Sequence, residues 1–340
     1  MAAAGLRATR YHPEFPEDRL TELPPSLQLI LDQPDAPIIE YVRVEPEGQP
    51  DPRLREEVLL HVPHDGGVIP PEFQTGVDGP IHPDRWLKDY IAERDWGASL
   101  LAERMAARMG LGGYWRICVA RVLMDFGRFP GETKADRGHL HRFALNYPFS
   151  ELLNRAAKRR VLEAYYDRCS DVMEPAIVGK TVLLGVHSYD SHNASGTKRP
   201  DVSLISRPFA YQEDSRMPVG VFDALYPDLL AEFTSDRVLR DRLSLTLEKA
   251  RIRVAHDYPY LLPEGSIEVR SQVFFFFHSV KQKFLEAFPE TATDSSFQLV
   301  WKMLFDTNLR SVESEALRSH LHMYRQAPRD RPAIFRRAVA

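Results

Sequence analysis

The sequence GKTVLLGVHSYDS occupies residues 179–191. Its apolar run, 181–186, is short, rich in β-branched residues and bounded by glycine and by polar residues, and this pattern predicts a buried strand. His187 stands at the carboxyl end of that strand. Because ligands of open α/β sheets bind outside the carboxyl ends of the strands, His187 is a candidate site residue. A lone loop histidine is also compatible with a structural role, so the choice depends on the other strands.

Other apolar runs predict further strands, and amphipathic stretches predict helices between them. The predicted strands are 57–62, 115–124 and 266–277, with shorter candidates at 38–44 and 251–255. The predicted helices are 82–110, with a break near Gly97, 149–173, 221–232 and 235–250. Strands that alternate with helices favour a three-layer α/β/α domain with a mixed sheet.

The chain has 340 residues, enough for one large domain or one domain with an appendage. Residues 1–55 form a proline-rich leader, 56–326 are expected to be a single α/β domain, and 327–340 form a basic tail. The polar stretch 190–207 is long enough to be a lid or a substrate loop.

Composition narrows the class of protein. Hydrophobic residues make up 44% and charged residues 27%, as in an ordinary globular protein, and the net charge is −4. This balance argues against nucleic acid or an anionic membrane as the main partner. Two cysteines without CxxC spacing fit a reducing compartment. No run of apolar residues predicts a membrane span or a secretory signal, so a cytoplasmic location is expected.

Polar side chains follow or lie in four of the predicted strands. If the strands are neighbours, these side chains converge on one crevice. They are His64 and Asp65, Asp125 and Arg128, His187 with Ser188 and Tyr189, and Glu268 with Arg270.

This set of side chains has a definite chemical use. Two histidines and one carboxylate can hold a catalytic zinc ion with an open position for water. A further carboxylate can move a proton from that water to a leaving amine, and an arginine can bind a substrate carboxylate through its forked donors. The inventory predicts hydrolysis of an amide in a carboxylate-bearing small molecule or peptide. A structural ion pair is the alternative for Glu268 and Arg270.

The other histidines are ambiguous. His139, His141 and His192 lie in loops that could flank the site. They could contact substrate, bind a second metal or simply face solvent. His61 lies inside a predicted strand and is expected to be packed.

Four motifs occur in a fixed order along the chain: HVPHDGGVIPPEF at 61–73, ERDWGASLLAERM at 93–105, VARVLMDFGRFPG at 119–131 and VLLGVHSYDS at 182–191. Together they resemble the N-formylglutamate amidohydrolase family, which is related in fold to the zinc carboxypeptidases. The resemblance covers roughly residues 57–277. Its most specific part is a histidine, then HSY, then a strand glutamate two residues before an arginine.

The resemblance implies roles for individual residues. His64 and His187 look like the imidazole ligands of one zinc ion, and Glu268 looks like the general base. Asp95 is similar to a recurrent acidic position and is the expected third ligand. Its rivals are Glu93, Glu72 and Asp65.

The same resemblance implies a substrate pocket. Arg128 looks like the clamp on the substrate carboxylate and contributes to catalysis, and Asp125 is expected to orient it. Tyr189, Ser188 and Arg270 are further candidates for substrate binding.

Three positions depart from the pattern. Gly67 stands where a carboxypeptidase has a ligand glutamate, so the third ligand must come from elsewhere. Gly127 replaces an asparagine before the arginine, and Tyr165-Tyr166 replaces a Tyr-His pair. Both changes remove a polar group that could contact substrate.

Three functions are therefore open. The first is a zinc-dependent amidohydrolase that acts on an N-formyl or N-acyl amino acid. The second is a carboxypeptidase-like or peptide-tailoring hydrolase with a wider groove. The third is a ligand-binding protein that keeps the scaffold without the chemistry, which Gly67 and Gly127 favour.

Overall fold

The structure is a computed structural model of the chain. It describes residues 36–135, 142–193, 195–206, 234–259, 261–263, 266–271, 285–286, 289–290 and 293. The chain divides into two compact units, 1–197 and 198–340, and each is described by itself.

The first unit contains a mixed four-stranded sheet. Its strands are β1 (Ile39–Arg43), β2 (Val58–Val62), β5 (Gly113–Ile117) and β6 (Val182–Gly185), with a separate two-stranded hairpin of β3 (Thr75–Gly76) and β4 (Gly79–Pro80). The strand order is β1-β5-β2-β6. β1 is antiparallel to β5, whereas β2 is parallel to both of its neighbours. The prediction of a mixed α/β fold with a mixed sheet is confirmed.

Helices connect these strands. They are α1 (Pro52–Glu57), α2 (Leu87–Glu93), α3 (Ala98–Met109), α4 (Phe149–Leu152), α5 (Arg155–Arg160), a π-helix (Val161–Tyr166) and α6 (Asp167–Ile177), with short 3-10 helices at Pro71–Phe73 and Pro83–Arg85. The predicted break at Gly97 is confirmed, because α2 and α3 are separate helices on either side of it.

The core of the first unit lies where α3 packs on β2. All five residues of β2 are buried, which fits a strand covered on both faces. The buried residues of α3 are all alanines, and their small side chains let the helix backbone approach the sheet closely. The buried cluster consists of Val58, Leu60, Val62, Ala98, Ala102, Ala106, Leu111, Tyr114 and Val186.

β5 is shorter than the strand predicted at 115–124. It ends at Ile117, and the chain turns where the backbone N–H groups of Leu123 and Met124 donate to the carbonyl of Ala120. The apolar residues of this turn are almost fully buried. The apolar run therefore reflects burial in the core and not a continued strand.

The second unit contains β7 (Val202–Leu204), α7 (Arg237–Lys249) and β8 (Val254–His256), and β7 pairs in parallel with β8. The predicted helix at 235–250 is confirmed. The strand predicted at 251–255 lies slightly later, at β8.

The strand predicted at 266–277 is wrong where the structure describes it. Residues 267–271 are helical. The N–H of Arg270 donates to the carbonyl of Ser266 at 2.9 Å, and the N–H of Val269 lies 3.3 Å from the Ser266 hydroxyl. A serine cap at the helix start thus overrides the β-branched composition of this stretch. Residues 272–277, the helix predicted at 221–232 and the basic tail lie outside the described residues.

The predicted limits of the leader, the domain and the tail stay predictions. In the part of the chain that the structure describes, every helix is too short or too polar to cross a membrane.

Candidate metal centre

His64 follows β2 and is held by a close contact between two backbone segments. A Cβ atom on Gly66 would lie 2.4 Å from the carbonyl oxygen of Val119 and 2.5 Å from that of Ile117. Only glycine allows this approach. The N–H of Val68 then donates to the carbonyl of Cys118 at 2.9 Å, so the His64 segment is fixed against the end of β5.

Asp95 lies in the loop between α2 and α3, and this loop is tied to His64. The N–H of Asp95 donates to the carbonyl of His64 at 3.0 Å. The Arg94 guanidinium lies 4.3 Å from the centre of the Trp96 ring and donates to Asp65 at 3.0 Å. These contacts bring a carboxylate from one segment next to an imidazole from another.

His187 follows β6, as predicted, and is tied to the same loop. The Ser188 hydroxyl donates to the carbonyl of Trp96 at 2.9 Å. Ser188, a candidate for substrate binding, therefore connects the β6 end to the Asp95 loop. The His187 side chain keeps 28% of its surface exposed, whereas Asp95 keeps 6%.

Three ligand atoms meet at this point. His187 Nδ1 lies 2.7 Å from Asp95 Oδ2 and 3.1 Å from His64 Nδ1, and His64 Nδ1 lies 3.5 Å from Asp95 Oδ2. Ligand atoms around a tetrahedral zinc ion, each about 2.0–2.1 Å from the metal, are separated by about 3.3–3.4 Å. The observed separations of 2.7–3.5 Å lie around this value, and the two imidazoles and the carboxylate could hold a metal ion.

The three rival ligands are engaged elsewhere. Asp65 accepts from Arg94 and, at 2.9 Å, from the N–H of Ser99. Glu93 accepts from Arg142 and Asn146. Glu72 accepts from Tyr165 at 2.7 Å. Of the four predicted candidates for the third ligand, the structure brings Asp95 to the two histidines.

Asp125 orients His64. Its Oδ1 atom lies 2.8 Å from His64 Nε2 and also accepts from the N–H of Gly127 at 2.8 Å. An ionised carboxylate can only accept, so Asp125 favours a proton on His64 Nε2. Nδ1, the nitrogen that faces Asp95 and His187, is then the atom available to bind a cation. Asp125 was predicted to orient Arg128, and Arg128 Nε does lie 3.6 Å from its other oxygen.

The charges around the centre favour ionised carboxylates. Burial alone would raise the pKa of Asp125, but the charges of His64 and Arg121 hold that pKa well below its usual range. Burial likewise opposes ionisation of Asp95, and hydrogen bonds from His187 and His64 lower its pKa instead. Burial and the Arg121 charge lower the pKa of His64, but the contacts with Asp125 and Asp95 outweigh them and the net shift is upward.

Arg128 is buried, with 2% of its surface exposed, and its carbonyl accepts from the Tyr166 hydroxyl at 2.8 Å. Tyr166 ends the π-helix and stands where the family pattern has a histidine. It supports the backbone of the predicted substrate clamp. Tyr189, a further candidate for substrate binding in this unit, is half-buried.

Glu268 and Arg270 belong to the second unit, where they lie on the helical turn 267–271. Arg270 is buried and Glu268 is half-buried. Their roles as general base and substrate contact stay predictions.

The remaining candidate histidines are His61, His192, His139 and His141. His61 is buried in β2, as expected of a packed residue. His192 is exposed and contacts Ser191. His139 and His141 lie outside the described residues.

Sequence reasoning missed Arg121. Its guanidinium contacts both Asp125 and Asp95. The spacing of four residues between Arg121 and Asp125 was the one available signal, and it is common to many helical and turn pairs.

Comparison with known proteins gives one family. The N-formylglutamate amidohydrolase family matches residues 56–272. No curated protein matches the chain. Among solved structures, the chain is similar to an N-formylglutamate amidohydrolase from Ralstonia eutropha JMP134, with 17% identity, a TM-score of 0.41, and coverage of 68% of this chain and 80% of that one. It is also similar to gene product Atu2144 from Agrobacterium tumefaciens, with 17% identity, a TM-score of 0.39, and coverage of 71% and 81%.

Proposed function

The chain belongs to the N-formylglutamate amidohydrolase family, and from this premise we propose that it is a zinc-dependent amidohydrolase. Its substrate is an N-formyl or N-acyl amino acid, or a similar molecule that carries a carboxylate, a small peptide included. The observation that carries the proposal is the meeting of His64, Asp95 and His187, which come from three separate segments of the chain.

Those three residues would hold the ion. When bound, zinc supplies a Lewis acid that polarises the scissile carbonyl and lowers the pKa of a water molecule. Side chains of the protein orient the ligands and balance the charge of the ion. Asp125 holds His64 in the tautomer whose Nδ1 can donate its lone pair, and Asp95 contributes a negative charge that offsets the charge of the ion.

The substrate is oriented by its own carboxylate. We assign this contact to Arg128, whose planar guanidinium can bind a carboxylate through two parallel hydrogen bonds. The Tyr166 hydroxyl supports that position through the Arg128 carbonyl. Glu268 is the proposed general base, which accepts a proton from the attacking water and passes it to the leaving amine.

The proposal extends to fold and location. We propose the three-layer arrangement of the zinc carboxypeptidases, which the mixed sheet of the first unit supports. A cytoplasmic location is supported by the two cysteines, Cys118 and Cys169, which are both buried free thiols.

One observation favours a second candidate, a ligand-binding protein without turnover. Gly127 stands where the family pattern has asparagine, and a Cβ atom there would lie 3.0 Å from Asp125 Oδ1 and 3.2 Å from His64 Nε2. The space beside the His64–Asp125 pair is therefore tight, and one polar side chain of the pattern is missing. A tightly bound N-acyl amino acid without hydrolysis would support this candidate.

The test is metal content and turnover in one preparation. The protein is purified without chelators, its metals are quantified by mass spectrometry, and hydrolysis is measured on a panel of N-formyl and N-acyl amino acids and peptides. The proposal expects one zinc per chain and turnover that a chelator abolishes and zinc restores. Absence of bound divalent metal, or turnover indifferent to the chelator, would contradict it.

Glu268→Gln tests the general base separately. The amide cannot accept the proton, so kcat is expected to fall by about 100-fold or more while zinc content stays at one per chain. Unchanged kcat would remove Glu268 from the mechanism and leave the metal centre untouched.

A further inference from the structure

Arg121 lies in the turn that follows β5, and its guanidinium is largely buried, with 11% of the side chain exposed. Nε donates to Asp125 Oδ2 at 3.1 Å. Nη1 donates to the carbonyl of Glu93 at 3.2 Å and to Asp95 Oδ1 at 3.4 Å. One side chain thus reaches both the loop between α2 and α3 and the turn after β5.

The oxygens that Arg121 contacts are the outer ones of two carboxylates. The inner oxygen of Asp95 faces His187 at 2.7 Å, and the inner oxygen of Asp125 faces His64 at 2.8 Å. Arg121 therefore touches neither imidazole through these bonds, but it holds the far side of each carboxylate that does.

We propose that Arg121 is a positioning residue that aligns Asp95 and Asp125 so that both imidazoles present their Nδ1 atoms to one cation. The inference rests on the proposed metal centre. It gives a role to Arg121, to which the sequence motifs assigned none and which is not one of the three proposed ligands.

Arginine is suited to this task for two reasons. It stays charged at any ordinary pH, and its rigid planar fork can serve two acceptors in fixed directions. Lysine has a point charge on a flexible stem, and it can reach one of the carboxylates but cannot set the angle between them.

The positive charge of Arg121 has an effect on cation affinity that opposes the effect of its alignment role. A permanent positive charge beside a cation site repels the cation, so removal of Arg121 would tighten binding if charge alone mattered. We expect alignment to dominate, because two buried carboxylates without their shared donor repel each other and turn away from the imidazoles. Residues that orient metal ligands typically change affinity by about 10–100-fold.

The experiment compares zinc affinity in the full-length protein and its variants. Dissociation constants are measured by competition with a chromophoric chelator, and the unfolding temperature of each metal-free protein is recorded. Arg121→Met is expected to weaken zinc binding by about 10–100-fold and Arg121→Lys by a smaller factor. The control is Arg116→Met, because the ion pair of Arg116 with Glu40 joins β1 to β5 and involves none of the three proposed ligands. The zinc affinity of this variant is expected to stay within about twofold of the wild type.

The outcomes separate the two claims. If the wild type binds zinc and Arg121→Met binds it equally or more tightly, the inference is overturned and the proposed function stands. If the wild type binds no zinc, the proposed function fails and the inference with it. Should Arg121→Met not fold, Arg121→Lys decides, because wild-type affinity in that variant would overturn the alignment role.

Discussion

The His64–Asp125 pair and the His82–Asp84 pair join the same two residue types at nearly the same N···O distance, 2.8 Å against 3.0 Å. Their surroundings differ. The side chains of the first pair are 6% and 4% exposed, and those of the second are 69% and 60% exposed. Water competes for every hydrogen bond of the surface pair, and such pairs contribute about 0–1 kcal/mol to stability.

The buried pair has a fixed set of partners instead. Asp125 is held by Arg121 and by the N–H of Gly127, so it cannot turn away from His64. Burial also makes each ionic contact stronger than in water. The comparison indicates that a histidine and an aspartate become a ligand support through the groups that surround them and not through their distance alone.

Among the variants that test the comparison of the two His–Asp pairs, the loss of a metal ligand should have the largest effect on zinc affinity. His187→Ala removes one of the three donors, and zinc affinity and turnover are expected to fall by more than about 100-fold, beyond the effect of a supporting residue. His82→Ala is the matched control, because it deletes a histidine that also contacts an aspartate. Equal effects of the two variants on zinc affinity would break the comparison.

Asp125→Asn should have the next largest effect. The amide can donate to His64 Nε2, which favours the tautomer with the proton on Nδ1, and zinc affinity is expected to fall by about 10–100-fold. Asp84→Asn at the surface pair is expected to leave affinity unchanged. Competition with a chelator measures both variants, and wild-type affinity in Asp125→Asn would remove the support role.

Acid titration of the metal-free protein should distinguish the buried His–Asp pair from the exposed one by their contributions to the stability of the fold. The pKa values of Asp95 and Asp125 are lowered in the folded state, so their contribution is complete above the unfolded value of about 3.9 and is lost as the pH falls through the folded values. His64 acts in the other direction, because its raised pKa adds stability that is lost as the pH rises through the folded value.

Urea unfolding between pH 2 and 5 measures this dependence. The wild type is expected to lose stability steeply below about pH 4, and Asp125→Asn should flatten that slope. A slope that is the same in Asp125→Asn and in Asp84→Asn would mean that the buried carboxylate contributes no more to the pH dependence of stability than the exposed one.

The smallest expected effect concerns the tether of His187. Ser188→Ala removes the hydrogen bond to the Trp96 carbonyl, and the free energy of unfolding should fall by about 0.5–1.5 kcal/mol. Zinc affinity should change by only a few-fold, because Asp95 still faces His187. A loss of zinc binding as large as that of His187→Ala would place Ser188 among the ligands.

Part of this arrangement was predictable from sequence because it depends on local rules. A short apolar run before His187 predicts a strand, and ligand residues at strand ends follow from the parallel topology of β2 and β6. The meeting of His64 and His187 is confirmed. Asp95 was preferred over three acidic rivals only through the family resemblance, because the engagement of Asp65, Glu93 and Glu72 elsewhere is a property of tertiary contacts.

Other parts were not predictable. Nothing in the spacing shows that Asp125 faces His64 as well as Arg128, or that Arg121 reaches across to Asp95. The first contact depends on how the turn after β5 meets the segment after β2, and the second on how that turn meets the loop before α3. The strand prediction for 266–277 failed at 267–271 because Ser266 caps a helical turn, and one capping side chain outweighed the β propensity of its neighbours.

X-ray diffraction from crystals grown with zinc, collected on both sides of the zinc absorption edge, shows whether one zinc ion binds between His64, Asp95 and His187. We expect one anomalous peak within about 2.0–2.2 Å of His64 Nδ1, His187 Nδ1 and an oxygen of Asp95, with Asp125 still bonded to His64 Nε2. A peak that lacks His64 or His187 as a ligand, or no peak at this position, would contradict the proposed metal centre.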